Sequence, residues 1–235
     1  MKKFELTNEF VVNSFGIKLF RIRSLVAFGC VKAGEQGGYI EKEDNLSQIG
    51  NAWVSGNAEV SDNAWVYGNA HVSGDAKVSG YARVSGYAWV YGYAKVYGCA
   101  CVYGNAEVYD NAWVYGNAWV SSDAEVSDNA RVYGNAKVYG NAWVYGNARV
   151  SGDAEVSGNA WVSGDVDYAT VKGFGRCNRN TTFFRCKDGK VCVVCGCFFG
   201  DLDEFRTIVK STHGDGRMAM EYLAIANLME IHFKG

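Results

Sequence analysis

Proline is missing from all 235 residues, and no stretch of eighteen apolar residues occurs anywhere in the chain. The second absence excludes a membrane-spanning helix, which needs about 20 such residues. The opening Met1-Lys2-Lys3-Phe4-Glu5-Leu6 lacks the apolar run of a secretory signal, so the expectation is a soluble, cytoplasmic protein. An excess of one charge is also lacking. With 23 basic and 25 acidic residues the net charge is −2, which gives no electrostatic case for nucleic acid or an anionic membrane. Residues 1–44 carry +1, residues 45–165 carry −5 and residues 166–235 carry +2, so the acidity sits in the middle.

Glycine, by contrast, is abundant at 29 residues, and tyrosine numbers 15. Without proline or a period of three this is not collagen. It suggests a short repeat with one tight turn per unit. From Asn51 to Gly164 the sequence divides without a gap into nineteen hexads of the form Asn-Ala-x-Val-Ser/Tyr-Gly, with alanine second and valine fourth in every one. A strict short period means a repeat architecture. Alanine and valine, two apart in an extended segment, point to the same side and form the interior. Glycine followed by asparagine supplies a corner that tolerates positive φ. Three hexads make an 18-residue triangular coil, and the predicted fold is a mainly β, left-handed parallel β-helix roughly 30 Å long. A stack of coils exposes unpaired edges at both ends, so caps are required.

The third hexad position points outward and varies. An 18-residue coil stacks Trp53, His71, Trp89, Glu107, Glu125, Trp143 and Trp161 on one face. The second face carries Glu59, Lys77, Lys95, Trp113, Arg131 and Arg149, and the third Trp65, Arg83, Cys101, Trp119, Lys137 and Glu155. Tyr81, Tyr87 and Tyr93 replace asparagine in three consecutive hexads and form a belt around one coil. Exposed aromatic rows serve either as a partner surface or as stacked rings that stabilise the coils.

Residues 1–44 read as a β cap with short strands at Phe10–Val12, Leu19–Ile22 and Leu25–Phe28, and Asn45–Gly50 is an imperfect hexad that starts the solenoid. Residues 166–235 read as a small α+β cap. A hairpin turns at Lys187–Lys190, and a helix opens at Asp201 with a capping-box spacing and ends at Gly214. A second helix runs from about Gly216 to Phe233, with Ala219, Tyr222, Leu223, Ala226, Met229 and Phe233 as its inner stripe. Met218, Ile225, Leu228 and Ile231 are apolar on other faces, so a homo-oligomer through this helix is expected.

Five of eight cysteines crowd into residues 177–197. In a reducing compartment they are expected as thiols or metal ligands rather than disulfides. Cys177, Cys186, Cys192, Cys195 and Cys197, with His213, could supply structural zinc ligands. Strand alternation sends Cys192 and Cys195 to opposite faces, which favours buried thiols, while Cys195 and Cys197 share a face. No cofactor is therefore assigned.

The repeats, together with Val31-Lys32-Ala33-Gly34, Gly37-Gly38-Tyr39-Ile40 and Leu46-Ser47-Gln48, resemble the YdcK-like β-solenoid proteins of bacteria and their phages. Asn180-Thr181-Thr182, Cys195-Gly196-Cys197-Phe198, Thr212-His213-Gly214-Asp215 and Glu221-Tyr222-Leu223 resemble a segment fused to such solenoids in phage-derived proteins. The resemblance implies the fold and a phage or prophage origin, and carries no activity with it. A hexapeptide acyltransferase or another interface-site enzyme is the alternative, but His71 is the only solenoid histidine and no loop interrupts the hexads. A carbonic-anhydrase-like zinc site needs converging histidines, and an ice-binding face needs threonines that the repeat lacks. The expected function is non-catalytic binding of a host protein or small ligand. A site belongs where the ladders break: at Tyr81, Tyr87 and Tyr93, or in the C-terminal cap at Arg176, Arg179, Arg185 and His213.

Overall fold

The structure is a computed structural model that describes residues 2–175 and 178–234. Three strands, β1 (Phe4–Val12), β2 (Lys18–Ser24) and β3 (Gln36–Ile40), precede nineteen two-residue strands, β4 (Trp53–Val54) through β22 (Trp161–Val162). Four strands and two helices follow: β23 (Tyr168–Phe174), β24 (Arg179–Arg185), β25 (Val191–Cys195), β26 (Phe198–Asp201), α1 (Leu202–His213) and α2 (Arg217–Phe233).

The predicted period sets the architecture. Each solenoid strand pairs in parallel with the strands 18 residues before and after it, as in Trp89 with His71 and Glu107. The chain thereby winds as a three-sided β-solenoid, with faces of seven, six and six solenoid strands. Every repeat valine and alanine is buried. At the corners the sixth hexad position takes positive φ. Glycine supplies it at most corners, while Asp62, Asp110, Ser122 and Asp128 adopt it as well. Coils pass close together there: a β-carbon on Gly104 would stand 2.7 Å from the Ser122 amide nitrogen. A corner side chain is thus disfavoured by stacking as well as by φ.

The parallel strand pairs exchange bonds in both directions, but the other hydrogen bonds between coils run one way. Backbone N–H groups of one coil donate to carbonyls of the next, as in Trp53 to Ala70 (3.0 Å), Ser55 to Val72 (2.9 Å) and Asn57 to Gly74 (2.8 Å). The first coil is left with an excess of orphan carbonyls and the last with an excess of orphan amides, and buried orphans are costly.

The N-terminal cap answers with donors. Strand β3 continues one solenoid face in parallel, and β1 and β2 extend it as an antiparallel hairpin. The amides of Tyr39, Glu41 and Ser47 donate to Ala58, Val60 and Val66. The Asn45 side chain donates to the carbonyls of Asp62 (3.2 Å) and Ala64 (2.9 Å). Lys3, buried, donates its ammonium to Ala52 O at 2.8 Å and Gly50 O at 3.4 Å, with the Phe28 ring 4.8 Å away. The expected strand at Leu25–Phe28 does not form. Gly29 takes positive φ, the chain folds back through a Phe28–Val31 bridge, and Phe28 packs edge-on to buried Trp53.

The C-terminal cap answers with acceptors. Asp165 takes the Arg149 amide (2.9 Å), Thr182 Oγ1 takes the Glu155 amide (3.0 Å), and Asp167 takes the amides of Ser163 (3.0 Å) and Gly164 (3.1 Å). Strands β23–β26 form an antiparallel sheet in sequence order. One sheet face, with Phe184, Cys186 and Val194, closes the solenoid core, while the other, with Phe183 and Val193, packs under the helices. The Asp201–Glu204 capping box forms, with Asp201 accepting from two amides and Glu204 bonding back to it. Ile225 is buried in this second core, contrary to its expected outer position, whereas Leu228 and Ile231 are exposed together with Met220.

Two outcomes follow from this layout. Val102→Asp places an unpaired charge inside the stack and should unfold the chain. Trp119→Ala, at a site 46% exposed, should cost only about 1 kcal/mol, measured by chemical denaturation. Burial also pushes the Lys3 ammonium down to about 8. Between pH 8 and the ordinary lysine range the unfolded chain holds more protons than the folded one, so stability rises with pH in that window. Wild type should gain on the order of 2 kcal/mol relative to Lys3→Met from pH 8 to 10.5, and parallel pH profiles would count against the cap assignment.

Candidate functional site

Most outward aromatic rings stack on their neighbours. Tyr97 lies on Tyr115 (4.9 Å, 3°), and Tyr115 on Tyr133 (5.0 Å, 2°). Tyr91 lies on Tyr109 (5.0 Å, 3°), with burial and then a bond to Glu107 raising the Tyr91 pKa. His71 stacks on Trp89 at 4.9 Å, and burial, then Lys3, lowers its pKa. These rings belong to the ladders, where each packs against the coil above or below.

The belt behaves differently. Tyr81, Tyr87 and Tyr93 are 65%, 63% and 62% exposed and occupy three successive corners of one coil. Corners of a three-sided prism point away from one another, so the three rings do not converge on one ligand. Each interrupts a column in which side chains 18 residues apart bond to one another, such as Asn51 to Asn69 (3.0 Å), Asn57 to Asp75 (3.2 Å) and Asn117 to Asn135 (3.1 Å).

The C-terminal candidates separate into three groups. Arg176 lies outside the described residues. Arg185 pairs with Asp167 (Nε to Oδ1 3.1 Å), and its guanidinium lies 5.6 Å from the Phe233 ring centre. It joins the sheet to the end cap. Arg179 and His213, by contrast, come together at a cleft of about 280 Å3 between the sheet and the helices.

The cleft is built from several elements. Arg179 starts β24, Cys195 ends β25, and Thr212 and His213 close α1. The His213 ring lies nearly parallel to Tyr222 of α2 (5.9 Å, 22°). Phe198, Phe205, Ile208 and Val209 make the apolar wall, with Phe205 edge-on to Tyr222. Sequence reading missed this wall, although the i, i+4 pairs Phe205/Val209 and Ile208/Thr212 marked two rows on α1. A larger open groove by the hairpin is lined by Lys190 and Asp201, which pair with each other at 3.2 Å.

The cysteine expectation needs correction. Cys186 and Cys192 form a disulfide, which removes Cys192 from the metal candidates. The antiparallel register sets Phe184 opposite Cys192, which brings the residue just past β24 within reach of it. Cys192 and Cys195 do face opposite sides, one towards the solenoid core and the other towards the helices. The Thr181 hydroxyl donates to Cys195 Sγ at 3.2 Å, and Cys197 is exposed. Among the described residues no group of three or more His, Cys, Asp or Glu side chains is placed to hold a metal, and Cys177 lies outside them.

Fold and geometry together define a capped hexapeptide-repeat β-solenoid with an α+β head. The family model of the YdcK β-solenoid repeat matches residues 124–140, 130–146, 136–152 and 142–157, four windows stepped by one hexad. The windows together span residues 124–157, so YdcK-type solenoid repeats are shown there, while the earlier coils and the head lie outside them. A search of curated proteins finds no match. Among the described residues no helix is long and apolar enough to cross a membrane.

Replacing Tyr81, Tyr87 and Tyr93 together by asparagine restores the consensus corners. The triple variant should melt no lower than wild type by calorimetry, because three columns regain bonding partners. A large loss of melting temperature would show that the rings hold neighbouring coils together.

Proposed function

We propose that the protein is a non-catalytic interaction protein of phage or prophage origin, in which the solenoid is a rigid stalk and the head carries the binding site. The observation that carries this reading is the head cleft, where a guanidinium, an imidazole and a hydroxyl meet an apolar wall at the end of an otherwise uniform prism. A few polar groups converging on an apolar concavity are what a ligand or partner site requires. A uniform ladder offers no such distinction from coil to coil. The corner tyrosines, split over three directions, suit coil decoration better than a shared pocket.

The setting we assign is a host cytoplasm, in which the Cys186–Cys192 bond stands against the reducing glutathione pool. The exposed row of Met220, Leu228 and Ile231 on α2 supports pairing of two copies. The partner of the head is a host protein or a small ligand.

Ile208, 44% exposed at the cleft, offers a clean test. Ile208→Trp fills the cleft without entering the core. Full-length protein immobilised in host lysate should retain a partner that the Ile208→Trp variant, with unchanged melting temperature, does not. Equal retention by both would remove the cleft as the interaction site.

A further inference from the structure

The chemistry of the head cleft narrows what it takes, on the basis of the interaction function above. We infer that it binds a monocarboxylate carried on a flat apolar group, of about the size of a phenyl ring with a short acid arm.

Arg179 is the charged pole. It makes no ion pair among the described residues. Its guanidinium lies over Gly196, where a β-carbon would collide with Nη1 and where φ is +63°. The β25–β26 turn thus leaves room for the guanidinium that any side chain there would fill. A planar fork of donors matches a carboxylate in two parallel hydrogen bonds. Thr212 and His213 add polar groups with no hydrogen-bond partner among the described residues.

Size and wall set the rest of the ligand. A dry cavity of about 150 Å3 accepts a benzene molecule. The cleft, at about 280 Å3, accommodates a ring and a few further heavy atoms. Phe198, Phe205 and Ile208 offer it apolar contact, and the aromatic members favour stacked or edge-on rings.

Charge decides between carboxylate and phosphate. Among the described residues Arg179 is the only permanent cation on the lining, and the cleft also faces the C-terminal turn of α1, whose carbonyls carry partial negative charge. A dianion would keep about one charge uncompensated beside an apolar wall, which is costly; a monoanion would not.

Free aromatic acids and the C-terminal residue of a peptide share this chemistry. Calorimetric titration of the full-length protein separates them. The probes are 3-phenylpropionate, its amide, phenyl phosphate, and a peptide ending in phenylalanine with a free or an amidated terminus. The acid or the free-terminus peptide should bind about tenfold or more tightly than the matching amide and than phenyl phosphate. Arg179→Gln should lose about tenfold or more with an unchanged melting temperature, and Ile208→Trp should abolish binding. Tighter binding of the free acid identifies a small ligand, and tighter binding of the peptide identifies a protein terminus. No saturable binding at concentrations on the order of 10 mM, equal binding of the amide, preference for phenyl phosphate, or full affinity in Arg179→Gln would each overturn the inference. If carboxylates fail while lysate capture still depends on Ile208, the ligand class falls and the interaction function stands.

Discussion

The directional bias of the hydrogen bonding between coils is the constraint on which the rest of this structure depends. Because each coil donates mostly to the next, with strand amides returning bonds, every interior coil satisfies its neighbours through backbone groups. The two ends inherit opposite net deficits, mainly carbonyls at the first coil and mainly amides at the last. The caps match in chemistry: Lys3 and Asn45 bring donors to one end, and Asp165, Asp167 and Thr182 bring acceptors to the other. The logic is that of helix termini, transferred to a β prism.

The same constraint shapes the outer surface. Identical registers place rows of like residues one coil apart, so rings that could bind a partner instead stack on each other. Opposite charges 18 apart pair likewise, as Lys77 with Glu59 and Lys137 with Glu155, both at 2.9 Å. Exposed pairs of this kind contribute little to stability. A period that is efficient for stacking leaves few places for a distinctive site. The place that remains is where the period stops and a second core, made by Phe183, Phe205 and Tyr222, meets the sheet.

That division separates the side chains held in ladders from those that reach the head. His71, alone among charged and aromatic neighbours, is held in a ladder beside Trp89. Arg185 and Arg179 look alike in sequence, yet strand β24 presents them to different surroundings: one reaches Asp167 and Phe233, the other the cleft. Cys186 and Cys192 lie six residues apart across a hairpin, where pairing depends on the register of two strands.

Sequence alone determined the coil length, the interior Val/Ala columns, the composition of all three faces and the capping box at Asp201. Each rests on local chemistry repeated at fixed spacing, which a single strand or turn already expresses. Tertiary structure decided the Lys3 and Asn45 caps, the Cys186–Cys192 bond, the burial of Ile225 and the meeting of Arg179 with His213. These join residues that are distant in the chain or share no period, so their placement follows from how the end segments pack against the last coil and against each other.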